Sequence, residues 1–546
     1  MIDGESEVSK VLVPEQFNIA NACLHLDEPE FDSTQVALLI DTAGSDEKAG
    51  VSSITYQCLH EDSDSMAMAL SELGLLAGER VMLWLPNCLE FPIAFFAALK
   101  IGAVAVPASL MLTGDEIDYL AVDSGARVLV TTPELWSKLY AHNPSRHRLE
   151  QVVLVGSDVS QDNASGQAVH SFDELLLEYA KCVSPHASVY PTKSEDPAYL
   201  VYTSGTTGYP KGVLHAHRAL IGRLPASRHW FDYSPSGDRI LHSGKFNWTY
   251  VLGTALMDPL YLGKSVVLYE GEANAETWPR LIAKHQCSIF IGVPTIYRQI
   301  IQKTAAVKTD VPSLRYCMSA GEHLSDEMLV AWRERFGQDI YEAIGMSECS
   351  YYLSQHASRP IRPGAAGFPQ PGHQVALLNE HMEPVAVDEE GMLCIKLEDP
   401  GLFLEYWGNE TETQASRRDG YFLTGDYARR DEDGYIWFLG RKDDLINSFG
   451  YRISPHEIER VLKGHPHVAD CVVIGDEVDV GKVVVTACVI PVQGLSIQEE
   501  GLKAYAAEHL ASYKVPKSVR FFDSFPRTAN GKVLRRALRT QSGLTQ

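Results

Sequence analysis

Residues 202–213 read Tyr202-Thr203-Ser204-Gly205-Thr206-Thr207-Gly208-Tyr209-Pro210-Lys211-Gly212-Val213. The apolar run Ala198-Tyr-Leu-Val-Tyr202 leads straight into them and predicts a buried strand that feeds a tight loop. Gly205, Gly208 and Gly212 let such a loop turn sharply and bring its backbone amides close to a ligand. Thr203, Ser204, Thr206 and Thr207 add hydroxyls, and Lys211 adds a positive charge. Successive amides in a turn of this kind form a concave nest for anions, with polyphosphate the natural candidate. On composition alone an ordinary Gly/Ser/Thr surface turn fits as well. The hydroxyl density and the Pro210-Lys211-Gly212 ending favour the anion site. A Walker A loop is excluded, because the Gly-Lys pairs at Gly244, Gly263, Gly481 and Gly531 all fail its spacing.

Outward from this loop, short β-branched runs alternate with amphipathic ones. Ser265–Glu270, Ser288–Pro294 and Arg315–Ala320 read as strands, and Glu276–His285, Thr295–Lys303 and Ser325–Phe336 as helices. That order implies βαβ units and largely parallel sheet, with ligands held by the loops that follow strands. Beyond Gly440 the character changes. Ser454-Pro-His-Glu457 predicts a capping box with proline at the first helical position, opening a helix to Leu462. Val468–Ile474 and Val483–Ile490 read as a hairpin, Ser496-Ile-Gln-Glu499 as the start of a further helix, and Ser518–Asp523 as a closing strand. These make a compact α+β unit of about a hundred residues, the size of a small domain.

The 546 residues carry 47 Lys plus Arg against 71 Asp plus Glu, a formal charge of −24. Such acidity disfavours a nucleic-acid or anionic-membrane surface. An anionic substrate then needs a locally basic site, which Lys211, Arg441, Arg452 and Lys532 can supply. The ten cysteines show no CxxC and no Cys/His metal spacing, and read as reduced thiols of a cytoplasmic protein. The acidic N-terminus lacks an apolar signal core, and the final residues carry no peroxisomal address. The most apolar stretch, Phe91–Ala108, is broken by Lys100, Gly102 and Pro107, and predicts a core helix followed by a strand rather than a membrane span.

The Thr203–Val213 segment resembles the first signature of the adenylate-forming superfamily, which includes acyl-CoA synthetases, peptide-synthetase adenylation domains and firefly-type luciferases. Four further segments resemble its later signatures in the family's order: Tyr341-Glu-Ala-Ile-Gly-Met-Ser-Glu348, Thr424-Gly-Asp426, Gly440-Arg-Lys-Asp-Asp-Leu-Ile-Asn-Ser-Phe-Gly-Tyr-Arg452 and Pro526-Arg-Thr-Ala-Asn-Gly-Lys532. The likeness spans nearly the whole chain and is nearest the benzoate-CoA ligase and medium-chain acyl-CoA synthetase type. It implies an α/β fold: a large N-terminal domain of parallel and mixed sheets with flanking helices, and a small mobile α+β C-terminal domain. The implied division is 1–442, binding ATP and the acyl group, and 443–546, a mobile lid with its hinge near Asp443.

The same resemblance implies the chemistry. ATP activates a carboxylic acid to an acyl-adenylate, and coenzyme A then takes the acyl group. Thr203, Ser204, Gly205, Thr206, Thr207, Gly208 and Lys211 correspond to the loop that holds the terminal phosphates. Glu348 corresponds to the ligand of Mg2+, with Ser347 standing beside it where the family usually has threonine. Asp426 corresponds to the acceptor of the ribose hydroxyls, and Arg441 contacts the ribose or a phosphate. Gly321, Glu322, Glu342, Ala343, Ile344 and Gly345 fall in segments around the adenine pocket. Lys532 corresponds to the lysine that bridges the two anions during adenylation, where it, Glu348 and Lys211 act as catalytic groups. Rotation about Asp443 then removes it and brings Gly450 and Arg452 to a pantetheine tunnel.

Lys245-Phe-Asn-Trp-Thr-Tyr-Val-Leu-Gly253 resembles one wall of the acyl pocket. It offers Trp248, Thr249 and Tyr250, with Gly321, His323 and Ile344 opposite. Core packing remains the alternative for Trp248 and Tyr250, and a surface cap for His323. Aromatic walls suit an aryl, branched or short-to-medium acid. No carrier-protein attachment motif follows Lys532, which favours free coenzyme A; loading of a separate acyl or peptidyl carrier protein is the alternative. A second copy of the chain and enzymes that acylate or deacylate Lys532 are the remaining candidate partners.

Overall fold

Hydrophobic alternation is realised as sheet and helix in the order the residues imply. The structure, a computed structural model, describes residues 11–25, 28, 30–42, 50–142, 149–156, 168–181, 189–203, 210–234, 237–321, 324–441, 444–448, 451–479, 482–495, 497–527 and 533–540. The βαβ stretch runs Ser265–Tyr269, Thr277–His285, Ile289–Gly292, Pro294–Lys303, Tyr316–Ala320 and Asp326–Phe336. Its strands are four or five residues long and almost wholly buried, as expected where helices cover both faces of a parallel sheet.

These strands belong to a nine-stranded sheet. It is parallel from Val36–Asp41 through Ser265–Tyr269, Arg239–His242, Ile289–Gly292 and Tyr316–Ala320 to Ile340–Gly345. Antiparallel strands close its two ends. An eight-stranded sheet repeats the pattern around Arg80–Trp84, and the Phe91–Ala108 stretch supplies it with the helix Glu90–Lys100 and the strand Val104–Pro107. Pro197–Thr203 lies parallel to its neighbour Val104–Pro107 and antiparallel to Lys211–Ala216. The hydroxyl-rich loop therefore joins two strands of a hairpin. A third sheet carries Tyr421–Arg430 between Glu390–Lys396 and Ile436–Arg441.

One buried ion pair fastens the helix Arg218–Phe231 to the chain that follows the predicted pocket wall. Arg223 and Asp258 are 1 % and 0 % exposed, and their side chains meet at 2.9 Å. Ser227 donates to the second carboxylate oxygen at 2.9 Å, Tyr351 also donates to Asp258, and Arg223 donates to the Tyr199 hydroxyl at 3.1 Å. Every charge in this cluster is answered, which is the condition under which buried ions are tolerated. Gly222 lets the same helix press onto a neighbouring loop, since a Cβ there would lie 2.2 Å from the Gly401 nitrogen.

The chain after residue 440 packs on itself. Ile446, Ile453, Ile458, Leu462 and Val473 share one core with Val485, Leu502 and Val519, whereas the large core ends at Ile436 and Phe438. Val468–Asp479 and Lys482–Pro491 pair antiparallel, and Ser518–Phe521 adds in parallel. The Pro455–Lys463 helix has Ser454 as its N-cap and proline at its start. The predicted capping box is only half made: Ser454 accepts from the Glu457 amide at 3.4 Å, but the Glu457 carboxylate takes Lys514 at 2.7 Å. A full charge in reach outcompetes a backbone amide for the carboxylate. The next helix is Glu499–His509 with Gln498 as its cap, and Ser496, the predicted start, lies outside the described residues. Among the described residues no helix is long and apolar enough to cross a membrane. The nine described cysteines are free thiols, most of them buried.

Replacing Arg223 by leucine leaves the Asp258 carboxylate buried without its cation, a loss of about 3–5 kcal/mol. The first transition in a urea titration should move to markedly lower concentration; an unchanged midpoint would show that the pair contributes nothing.

Candidate active site

The hairpin places Thr203 and Lys211 as cross-strand partners at the two ends of the hydroxyl-rich loop. The loop residues Ser204, Gly205, Thr206, Thr207 and Gly208 lie outside the described residues, as do Glu322, His323, Asp443, Gly450 and Lys532. Arg452 belongs to the strand Tyr451–Ile453.

Lys211 is mostly buried and forms an ion pair with Glu412. Its ammonium also stands 5.6 Å from the centre of the Tyr406 ring, a cation–π distance. The Tyr406 hydroxyl donates to Glu348 Oε1 at 2.8 Å. Burial and then Glu348 push the tyrosine hydroxyl well above its ordinary pKa, so it remains a proton donor to the carboxylate. Lys211 and Glu348, 137 positions apart in the sequence numbering, are thus joined across a single aromatic ring.

Asp426 and Arg441 are cross-strand partners on Tyr421–Arg430 and Ile436–Arg441. The guanidinium lies 3.3 Å from Asp426 Oδ1, and the Tyr352 hydroxyl donates to Oδ2 at 3.2 Å. Asp426 is buried while the Arg441 side chain is half exposed. Desolvation works against the guanidinium, but Asp426 and then Glu348 outweigh it and raise its pKa. The influence of Glu348 on Arg441 brings both halves into one site. It has two cations, Lys211 and Arg441, and two buried carboxylates, Glu348 and Asp426, each holding a tyrosine hydroxyl. That arrangement offers oxygen ligands for a hard cation and positive charge for phosphate.

The turn carrying Glu348 is sterically fixed. A Cβ at Gly345 would fall 1.8 Å from the Ser350 carbonyl oxygen, and the Met346 amide bonds that same oxygen at 2.7 Å. His215, fully buried and stacked on Tyr199 with ring centres 4.7 Å apart, meets the Ser347 carbonyl at 2.7 Å. Glu342 accepts from the Leu324 amide at 2.7 Å, tying the Ile340–Gly345 strand to the segment after Gly321. Ala343 is buried, whereas Ile344 is only partly covered and Gly345 is exposed.

Gly321 is exposed with φ +100°, and a methyl there would stand 3.7 Å from the Trp248 ring. The Trp248 and Tyr250 rings meet edge-on at 5.3 Å. Trp248, Thr249 and Gly321 are therefore brought to one place, with Tyr250 behind them. After Thr249–Val251 the chain widens into a π-helical segment, Leu252–Met257, before Asp258–Tyr261. Such segments recur at functional sites. Sequence reasoning missed Tyr352, Tyr406, Glu412 and His215. None sits in a motif; the aromatic pair Tyr406-Trp407 before Gly408 was the one local signal available.

Comparison with known proteins agrees with this geometry. The AMP-binding enzyme family profile matches residues 35–407, and that of the AMP-binding enzyme C-terminal domain matches 457–532. The chain is 31% identical over 491 residues to a 3-hydroxybenzoate–CoA/4-hydroxybenzoate–CoA ligase of Thauera aromatica, covering 89% of this chain and 92% of that one. It is 30% identical over 544 residues to a benzoate–CoA ligase of the same organism, covering 98% of each. An anthranilate CoA ligase solved with anthranoyl-AMP superposes with a TM-score of 0.85 at 28% identity, over 97% of this chain and 98% of that one.

Burial pushes His215, His217 and His242 down to about 3, so all three are neutral in the fold. In the unfolded chain they take up protons below their ordinary pKa of about 6.5, so the stability they contribute is full above that pH and is lost as pH falls toward 3. Each should cost up to about 2 kcal/mol by pH 5. Urea midpoints compared at pH 7 and pH 5 should fall; equal midpoints would refute the neutral assignment.

Proposed function

The chain belongs to the AMP-binding enzyme family, and on that premise we infer an AMP-forming acid–thiol ligase, an ATP-dependent acyl-CoA synthetase. In the first step the substrate carboxylate attacks the α-phosphate of ATP and pyrophosphate leaves. In the second, the thiol of coenzyme A attacks the acyl-adenylate carbonyl and AMP leaves. The observation that carries this reading is the convergence of Lys211, Glu348, Asp426 and Arg441 from separate segments of sequence.

Both reactants of the first step are anions, so the site must neutralise charge and hold the groups in line. Lys211 meets the terminal phosphates, exchanging its present partner Glu412 for them, with Thr203 and the loop 204–208 supplying donors. Asp426 accepts from the ribose hydroxyls, and Tyr352 and Arg441 hold its carboxylate in orientation. The buried Glu348 carboxylate, with one oxygen held by Tyr406, fits a single-carboxylate ligand of Mg2+. That ion, when bound, supplies charge neutralisation at the phosphates. Trp248, Thr249, Gly321 and Ile344 form the acyl side. The aromatic Trp248, with Tyr250 behind it, supports an aryl, branched or short-to-medium acid.

Lys532 bridges the carboxylate and the α-phosphate during adenylation. It must leave before the thiol enters. The break between the large core, ending at Phe438, and the small core, beginning at Ile446, supports a hinge at Asp443. Turning there would carry Gly450 and Arg452 toward the incoming pantetheine.

Acid-dependent pyrophosphate release, followed with and without coenzyme A over a panel of carboxylic acids, tests the assignment. Release that required a carrier protein in place of coenzyme A would overturn the acceptor. Lys532→Ala should slow acyl-adenylate formation by about 100-fold or more, yet still convert a supplied acyl-adenylate to thioester. Undiminished adenylation in this variant removes the lysine from the step. Asp443→Pro should impair thioester formation more than adenylation. Equal loss of both half-reactions would argue against rotation about this residue.

A further inference from the structure

The Tyr250 hydroxyl is buried and, among the described residues, has no hydrogen-bond partner. Two of the rings packed against it have already committed their polar groups. His242, 5.4 Å away ring to ring, accepts from the Gly244 amide through Nδ1 at 2.9 Å and meets Thr254 Oγ1 through Nε2 at 3.0 Å. Trp230, at 6.3 Å, donates to the Tyr341 carbonyl at 3.2 Å. Tyr250 is held at its backbone too: Thr254 Oγ1 donates to its carbonyl at 2.7 Å, and the following π-helical segment ends on the buried Arg223–Asp258 pair. The residue as a whole remains partly accessible, beside Trp248 and the exposed Gly321. A rigid phenol with an unanswered hydroxyl behind an aromatic wall is a costly feature in a ligand-free protein.

We propose that the Tyr250 hydroxyl is a specificity determinant that hydrogen-bonds a neutral polar substituent of the acyl group. The acid class is then a carboxylic acid carrying a hydroxyl, amino or carbonyl group away from its reacting carboxyl. The substituent is neutral because the rings around Tyr250 bring no cation to it: Trp248, Trp230 and the neutral His242 would leave a second carboxylate unpaired. A phenol both donates and accepts, so it serves either polarity of substituent. A site built to hydrogen-bond such a group discriminates against the analogue lacking it, since the analogue leaves the protein group unpaired. This inference rests on the synthetase reading and deepens it.

The test compares Tyr250→Phe with the parent enzyme on benzoate against hydroxy- and amino-benzoates, and on a medium-chain acid with and without a terminal hydroxyl. The readout is kcat/KM for acid-dependent pyrophosphate release. The parent should prefer a substituted acid in at least one pair. The variant should lose about 10-fold or more of that preference, through a lower kcat/KM for the substituted acid. An unchanged ratio overturns the proposal, as would a parent that prefers the unsubstituted acid in every pair. A parent enzyme that activates no acid at all would instead sink the synthetase reading, and this inference with it. A second readout needs no substrate: the ligand-free variant should melt no lower than the parent, because it loses an unpaired hydroxyl. A lower melting temperature would reveal a partner for that hydroxyl in the resting protein and would also overturn the proposal.

Discussion

Two buried carboxylates, Glu348 and Asp426, share one site, and the side chains around them are arranged to hold both. Glu348 and Asp426 each accept from a tyrosine hydroxyl that desolvation holds firmly protonated. Arg441 answers both charges, and Lys211 stands across the Tyr406 ring from Glu348. In a chain of net charge −24 this local concentration of cations is what makes the place hospitable to a polyanion. The tyrosines matter because a hydroxyl orients a carboxylate without neutralising it.

The scaffold supplies the rigidity this requires. Gly345 permits a turn whose carbonyl packing excludes any side chain, and that turn carries Glu348. Beneath it, His215 meets the Ser347 carbonyl inside the core, and its neutrality is enforced by burial. Next to Trp248 and Tyr250, the Arg223–Asp258 cluster anchors the end of the π-helical segment that follows them. The charged cluster and the aromatic wall thus depend on different devices. Cations beside buried carboxylates serve the first, and a buried, fully answered ion pair serves the second.

How much of this could be read in advance depended on distance along the chain. The helices and strands from Ser265 to Phe336 follow from local periodicity, and the structure places them within a few residues of the predicted bounds. The helix after Ser454 also forms where its cap and proline indicate, yet Glu457 turns to Lys514, a partner 57 residues away that no local pattern reveals. The direction of one strand pair was also hidden. Alternating βαβ units imply parallel pairing, but the hydroxyl-rich loop joins an antiparallel pair, because a loop of that length returns the chain beside the strand it left.

By itself the sequence determined the α/β class, the family and the charged groups of the candidate site, since those reside in contiguous motifs and short periods. Tertiary structure decided which neighbours control them. Tyr406 reaches Glu348 over 58 residues, Tyr352 reaches Asp426 over 74, and Glu412 reaches Lys211 over 201. It also decided that the Tyr250 hydroxyl is left unanswered. Hydrogen bonds and ion pairs depend on separation in space, and a chain writes that separation only when it is folded.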